Sequence, residues 1–165
     1  MTGPGYPLER PRRLRRTAAL RRLVGETRLV PADLVLPLFV KEGLTEPVPV
    51  SAMPGVVQHT RDSLRQAVLD AVEAGVGGLI LFGVPQDKDG EGSQADADDG
   101  IVQRALRDLT ADVGGATVVM ADLCLCECTD HGHCGPLDAQ GGADNDRTLE
   151  RYAAVAVAQA RAGAH

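Results

Sequence analysis

Three short apolar runs, separated by stretches of helical periodicity, restrict this chain more than any other feature. They are Leu34-Val-Leu-Pro-Leu-Phe-Val40, Gly78-Leu-Ile-Leu-Phe-Gly83 and Ala116-Thr-Val-Val-Met120. The first is short, continuous and bounded by polar residues, the pattern of a strand buried on both faces; the second reads as another buried strand, and the third begins a strand that runs into the cysteine stretch. Pro37 is awkward in the first, because it cannot donate to a ladder. Between the first two runs, residues 43–60 read as loop, with a turn at Met53-Pro-Gly55. Asp62 or Ser63 then caps a helix whose residues Leu64, Ala67, Val68, Ala71 and Val72 share a face, with a stop at Gly75. Between the second and third runs, Val102, Ala105, Leu106, Leu109 and Val113 mark another helix. After the third, Asn145 or Asp146 caps a helix with an apolar face of Leu149, Tyr152, Ala153, Ala156 and Ala160, closed by Gly163. Strand, helix, strand, helix, strand, helix predicts an α/β fold with a parallel sheet and right-handed crossovers. Sites in such folds form at the carboxyl ends of the strands.

Charge is divided unevenly along the 165 residues. Residues 1–28 hold eight arginines against Glu9 and Glu26, a local net of +6; removing this from the total of −6 leaves −12 on residues 29–165. We therefore read 1–28 as a basic arm, loosely laid at residues 1–8 and with Leu14, Ala18 and Leu20 on one helical face, ahead of a domain at 29–165. An acidic body argues against nucleic-acid binding. The arm alone leaves a polyanion contact open, although no aromatic residues interleave its arginines. No apolar run reaches the roughly 20 residues that span a bilayer, and the N-terminus lacks a secretory apolar segment. These features predict a cytoplasmic protein with no membrane partner, in which thiols stay reduced.

Residues 85–100, PQDKDGEGSQADADDG, form a long acidic loop. Its spacing does not match a calcium loop, and a solvated loop is the expectation. Neither the GxGxxG nor the GxxxxGK[ST] nucleotide fingerprint is present.

The chemistry is concentrated at the end of the third run. Asp122 to Cys134 contains all four cysteines and two of the four histidines. Thiolate and imidazole are zinc ligands, and softness favours zinc over harder ions. If the strand persists, Cys124, Cys126 and Cys128 share one of its faces and Cys134 returns through a turn at Gly132. Four thiolates make a closed structural site; three make an open one with room for water or substrate. His131 and His133 stand as ligands, substrate contacts or loop residues.

The stretch DLCLCECTDHGHCG resembles the metal loop of the zinc-dependent porphobilinogen synthases, also called δ-aminolevulinate dehydratases. RPRRLRRTAALRRLVGET, DLVLPLFV, AMPGV at 52–56, LILFGVP at 79–85, GSQA at 92–95, DGIVQRA and DNDRTLE are similar to family segments in family order, so the resemblance covers residues 10–165. It implies the N-terminal portion of a (β/α)8 barrel, about three βα units, preceded by an extended arm that docks on a neighbouring subunit of an octamer-type homo-oligomer. It implies a hydro-lyase of haem biosynthesis that condenses two molecules of 5-aminolevulinate into porphobilinogen. Zn2+ would be held by Cys124, Cys126 and Cys134, with Asp122 orienting substrate and Phe82 walling the substrate pocket.

Cys128 stands where the family usually has Tyr, and Asp130 where it often has Ser. Cys128 as a fourth ligand would give the alternative: a non-catalytic zinc protein with a closed four-thiolate site. Family chemistry also uses Schiff-base lysines, a covalent activation of the substrate carbonyl. The lysines here are Lys41 and Lys88, and neither matches them. The chain resembles the first half of the enzyme, ending before a fourth strand. The expectation is that it is inactive alone and exposes apolar surface along its third strand.

Overall fold

The computed structural model describes Leu8, Arg10 and residues 12–165. The expectation of a loosely laid residue 1–8 segment falls, apart from Leu8, outside the described residues. The chain divides into two compact units, Met1–Val30 and Pro31–His165.

In the first unit a 3-10 turn at Arg12–Arg15 precedes α1, Ala18–Val24. The Thr17 hydroxyl caps α1 by accepting from the Leu20 amide at 3.1 Å. The expected common face of Leu14, Ala18 and Leu20 does not form, because Leu14 lies on the separate 3-10 turn. Neither element buries a residue.

The second unit has five strands, β1 Val35–Lys41, β2 Val48–Pro49, β3 Val57–His59, β4 Gly78–Val84 and β5 Val118–Ala121, in the sheet order β2-β3-β1-β4-β5. The apolar runs become β1, β4 and β5, all parallel. The segment read as loop at 43–60 supplies β3, parallel to β1, and β2, antiparallel to β3. Both are too short to carry a periodic signal. Pro37 is tolerated because β3 pairs only with Phe39 and Val40, leaving no strand opposite Pro37 on that side.

Three helices follow the parallel strands: α2 Arg61–Glu73, α3 Ile101–Val113 and α4 Asn145–Ala162. Thr60, not Asp62 or Ser63, caps α2; its hydroxyl accepts from the Ser63 amide while the Ser63 hydroxyl accepts from the Thr60 amide. Such reciprocal bonding satisfies two otherwise orphaned donors. The Asp144 carboxylate caps α4, one residue before the expected position, by accepting from the Arg147 amide.

Leu38 and Val40 from β1, Leu79 and Leu81 from β4 and Val119 from β5 pack with Leu64 and Val68 of α2 and Leu106 and Leu109 of α3. Gly83 makes the sheet–helix approach possible: a Cβ there would lie 2.2 Å from Cγ2 of Val102. The first run reads as buried on both faces, yet β1 shows alternation, as does most of β4. Phe39 and Phe82, on the second face, are half-buried and stack at 5.1 Å between centroids. β5 forms the sheet edge opposite β2, and Val118 is 44% exposed.

The expected face of α4 is wrong by about one residue. Val155, Gln159 and Ala162 point inward, while Leu149, Ala153, Ala156 and Ala160 are exposed. The displaced face includes Gln159 because its amide reaches a backbone acceptor, the Asp122 carbonyl at 2.7 Å. A rule that sends polar residues outward misses such a paired side chain. No helix among the described residues is long and apolar enough to cross a membrane.

Candidate metal centre

β5 ends at Ala121, and the last ladder-like bond is from the Asp122 amide to the Leu81 carbonyl, 2.9 Å. The strand therefore stops before the cysteines. The backbone instead folds into a turn in which the amides of Cys128 and Thr129 both donate to the Leu125 carbonyl, at 2.8 and 2.9 Å. This overturns the shared strand face for Cys124, Cys126 and Cys128. The turn keeps the first two together, with sulfurs 3.4 Å apart. Cys128 is buried instead with Ala95, Leu125 and Val155.

Cys134 comes back by a second turn. Gly132 takes φ +74°, a left-handed conformation open to glycine, and the Thr129 hydroxyl donates to the His133 carbonyl at 2.8 Å. The result is a group of three thiols, Cys124, Cys126 and Cys134, whose sulfurs all lie within 4.8 Å of one another. Three zinc–sulfur bonds of about 2.3 Å at tetrahedral angles separate the sulfurs by about 3.8 Å, so the donor set fits that ion by softness and spacing. Among the described residues, neither His131 nor His133 belongs to this group. The His131 ring packs near the Gly90 carbonyl, Nε2 to O 3.3 Å, and its Nδ1 accepts from the His133 amide. The Asp130 side chain is exposed, and its amide donates to the Asp89 carbonyl.

Hydrogen bonds link the thiols to one another and to Glu127. Burial would raise Cys124, but its hydrogen-bond contacts with the Cys126 amide and the Cys134 and Cys126 sulfurs bring it below the usual thiol range. Cys126 is pushed up by burial and by donating to the Glu127 carboxylate, 3.0 Å away. Cys134 is raised through its hydrogen bond to Cys124. Burial pushes the Cys128 thiol up to about 11, the state of an unreactive buried thiol.

Asp122 sits at the mouth of this group. Its carboxylate accepts from the Cys124 amide at 3.2 Å, and burial, then the Glu127 charge, holds its pKa above the ordinary carboxylate value. Donor atoms of Asp122, Cys124 and Glu127 also lie within 4.8 Å of one another. A cavity of about 10 Å³ between β4, α4 and the turn is lined by Gly83, Asp122, Cys124, Glu127 and Cys128 among others. Phe82 is on β4, stacked on Phe39 rather than lining that cavity.

Helical periodicity puts Tyr152 on the apolar face of the last helix, away from the site, yet its hydroxyl donates to the Cys134 carbonyl at 3.1 Å and lies 3.9 Å from the Cys124 sulfur. Burial and the Cys124 contact push it up to about 12. The available signal was chemical: a partly buried tyrosine needs a hydrogen-bond partner. The acidic loop is exposed at Gln86–Asp89 and Asp98–Asp99, as expected of a solvated loop, but its middle is anchored. A 3-10 turn at Ser93–Ala95 buries Ala95 beside Leu125, and Asp89 bridges to Thr129.

The family model for delta-aminolevulinic acid dehydratase matches residues 8–165. The chain is 63% identical over 162 residues to the delta-aminolevulinic acid dehydratase of Streptomyces coelicolor, covering 97% of this chain and 49% of that protein. It is 63% identical over 167 residues to that of Mycobacterium tuberculosis, covering 100% of this chain and 51% of that protein. The chain thus spans about half the length of the curated relatives it matches. A crystal structure of the enzyme from Toxoplasma gondii ME49, in complex with the reaction product porphobilinogen, superposes with a TM-score of 0.87 at 33% identity, over 94% of this chain and 45% of that one. The three βα units are accordingly part of a (β/α)8 barrel.

Proposed function

The chain belongs to the delta-aminolevulinic acid dehydratase family, and from that premise we propose that it carries the metal centre of a porphobilinogen synthase, which joins two 5-aminolevulinate molecules into porphobilinogen with loss of two waters. The observation that carries this reading is the meeting of Cys124, Cys126 and Cys134, with sulfurs within 4.8 Å.

Those three residues would hold Zn2+, which when bound would supply Lewis-acid polarisation of a substrate carbonyl. The chain's own residues set the surroundings. The Glu127 carboxylate accepts the Cys126 thiol hydrogen that a metal replaces. The Asp122 carboxylate, held by the Cys124 amide and by the Gln159 bond to its own backbone carbonyl, orients an amino or hydroxyl group of the substrate. Phe82, stacked on Phe39, offers an apolar wall on the sheet face that the helices do not cover. Cys128 stands outside the three-thiol group, which favours an open site over the closed four-thiolate alternative.

We assign no Schiff base to this polypeptide. Lys41 ends β1 and Lys88 is exposed in the loop after β4. By themselves these 165 residues make no porphobilinogen, because Lys41 and Lys88 are the lysines among them and neither matches the Schiff-base lysines; we place the activity in the cytoplasm, with the basic arm as the docking element of a homo-oligomer. X-ray absorption on the zinc-loaded chain tests the centre. Three sulfurs and one lighter atom are expected; four sulfurs would favour the closed site. Porphobilinogen formed by the purified chain would overturn the assignment of inactivity.

A further inference from the structure

The thiol turn lies on a bed built by the acidic loop. Leu125 packs against Gly92, where an added Cβ would meet Leu125 Cδ2 at 3.3 Å and Thr129 Cγ2 at 3.5 Å. Ala95 is buried with Leu125, Cys128 and Val155. The Asp130 amide donates to the Asp89 carbonyl at 3.2 Å. The bed has its own internal brace, the Asp89 carboxylate, which accepts from the Glu91 and Ser93 amides, both at 3.0 Å.

One side chain ties this bed to α4. The Arg151 guanidinium donates to the Glu91 carbonyl from Nε at 3.1 Å and to the Gly92 carbonyl from Nη2 at 3.2 Å. It also forks onto the Asp96 carboxylate, Nη1 to Oδ2 at 3.1 Å and Nη2 to Oδ1 at 2.6 Å. The two side chains are 21% and 26% exposed. A planar fork suits this simultaneous grip on a carboxylate and two carbonyls, which a lysine cannot reproduce. The next residue, Tyr152, holds the Cys134 carbonyl. Adjacent side chains of one helix therefore hold the bed of the Leu125–Thr129 turn and the segment that ends in Cys134.

We propose that Arg151 is a positioning residue for the metal centre: by clamping residues 91–96 to α4 it fixes the bed of the Leu125–Thr129 turn and sets the separation of the Cys124 and Cys126 sulfurs from that of Cys134. The inference rests on the reading of these thiols as a metal site. Arg147 pairs with Glu91 nearby, but those side chains are 47% and 51% exposed, and it makes no such multiple grip.

The test uses the 165-residue chain, cobalt(II) as a spectroscopic probe and zinc competition against a chromophoric chelator. The native chain should show thiolate-to-cobalt charge-transfer bands; their absence would sink the metal-site reading itself. Arg151→Met should weaken zinc binding by at least about tenfold, the scale on which supporting contacts act on metal sites, and alter the cobalt bands. Arg151→Lys should recover only part of the loss, and Arg147→Met should bind like native. Native affinity and native bands in Arg151→Met would overturn the proposal, as would an equal loss in Arg147→Met. If Arg151→Met does not fold, Asp96→Asn carries the test, since it removes only the carboxylate half of the grip and should lower affinity while the far-ultraviolet dichroism stays native. Unfolding of Asp96→Asn as well, or its binding zinc like native, would overturn the proposal.

Discussion

The Tyr152 hydroxyl donates to the Cys134 carbonyl at 3.1 Å, so the middle of α4 is fastened to the last thiol of the metal centre. This bond closes the distance between two segments that the sequence separates by a glycine-rich loop, and it bears on how tightly Cys134 is held.

Replacing Tyr152 with Phe keeps the packing and removes the bond. The expected loss is about 0.5–1.5 kcal/mol in urea unfolding, accompanied by weaker zinc binding in chelator competition. Unchanged stability together with unchanged affinity would show that the bond does not hold Cys134.

Cys128 and Cys134 should behave oppositely. Cys128 is buried among apolar side chains, whereas Cys134 is exposed and in the three-thiol group. Cys128→Ala is expected to retain one tightly bound zinc, and Cys134→Ala to lose it, by metal analysis after dialysis. In the metal-free chain, mass mapping after brief alkylation should find Cys134 modified well before Cys128.

Gly83→Ala should destabilise the sheet–helix packing. Its Cβ would fall 2.2 Å from Val102 Cγ2, so Val102 must leave its rotamer or β4 and α3 must separate. Overpacking of this kind costs about 1–3 kcal/mol, readable as a lowered thermal midpoint. A midpoint equal to native would mean that α3 shifts freely.

His59 gives the fold a pH dependence. Burial lowers its pKa below 6.5, so the unfolded chain binds the proton more readily. The stabilisation is complete above about pH 6.5 and is lost as pH falls through the folded value. Urea midpoints should decline over that interval, and His59→Gln, which keeps a partner for the Ser63 hydroxyl 3.2 Å away, should flatten the decline. A slope unchanged in the variant would assign the effect to other groups.

Much of the α/β architecture was legible because it is written in local periodicity. Leu79 and Leu81 alternate, and Leu106 and Leu109 recur on a helical face; both pairs are fully buried. The weak points were places where distant groups decide. α4 turned its face because Gln159 found the Asp122 carbonyl. The cap of α2 is the exception, since Thr60 and Ser63 are three residues apart and their reciprocal bonding is a local pattern. The acidic loop folded back because Arg151 and Thr129 gave it partners.

The sequence by itself determined the donor chemistry: four thiols within Asp122–Cys134, at the end of a strand in a parallel α/β order. The tertiary structure decided which thiols meet. The sheet releases the backbone after the Asp122 amide, and the turn onto the Leu125 carbonyl sends Cys128 into the apolar contact with Val155 of α4. Ligand spacing depends on where a strand stops and what a returning helix covers. Those are non-local packing events, and residue order alone does not encode their geometry.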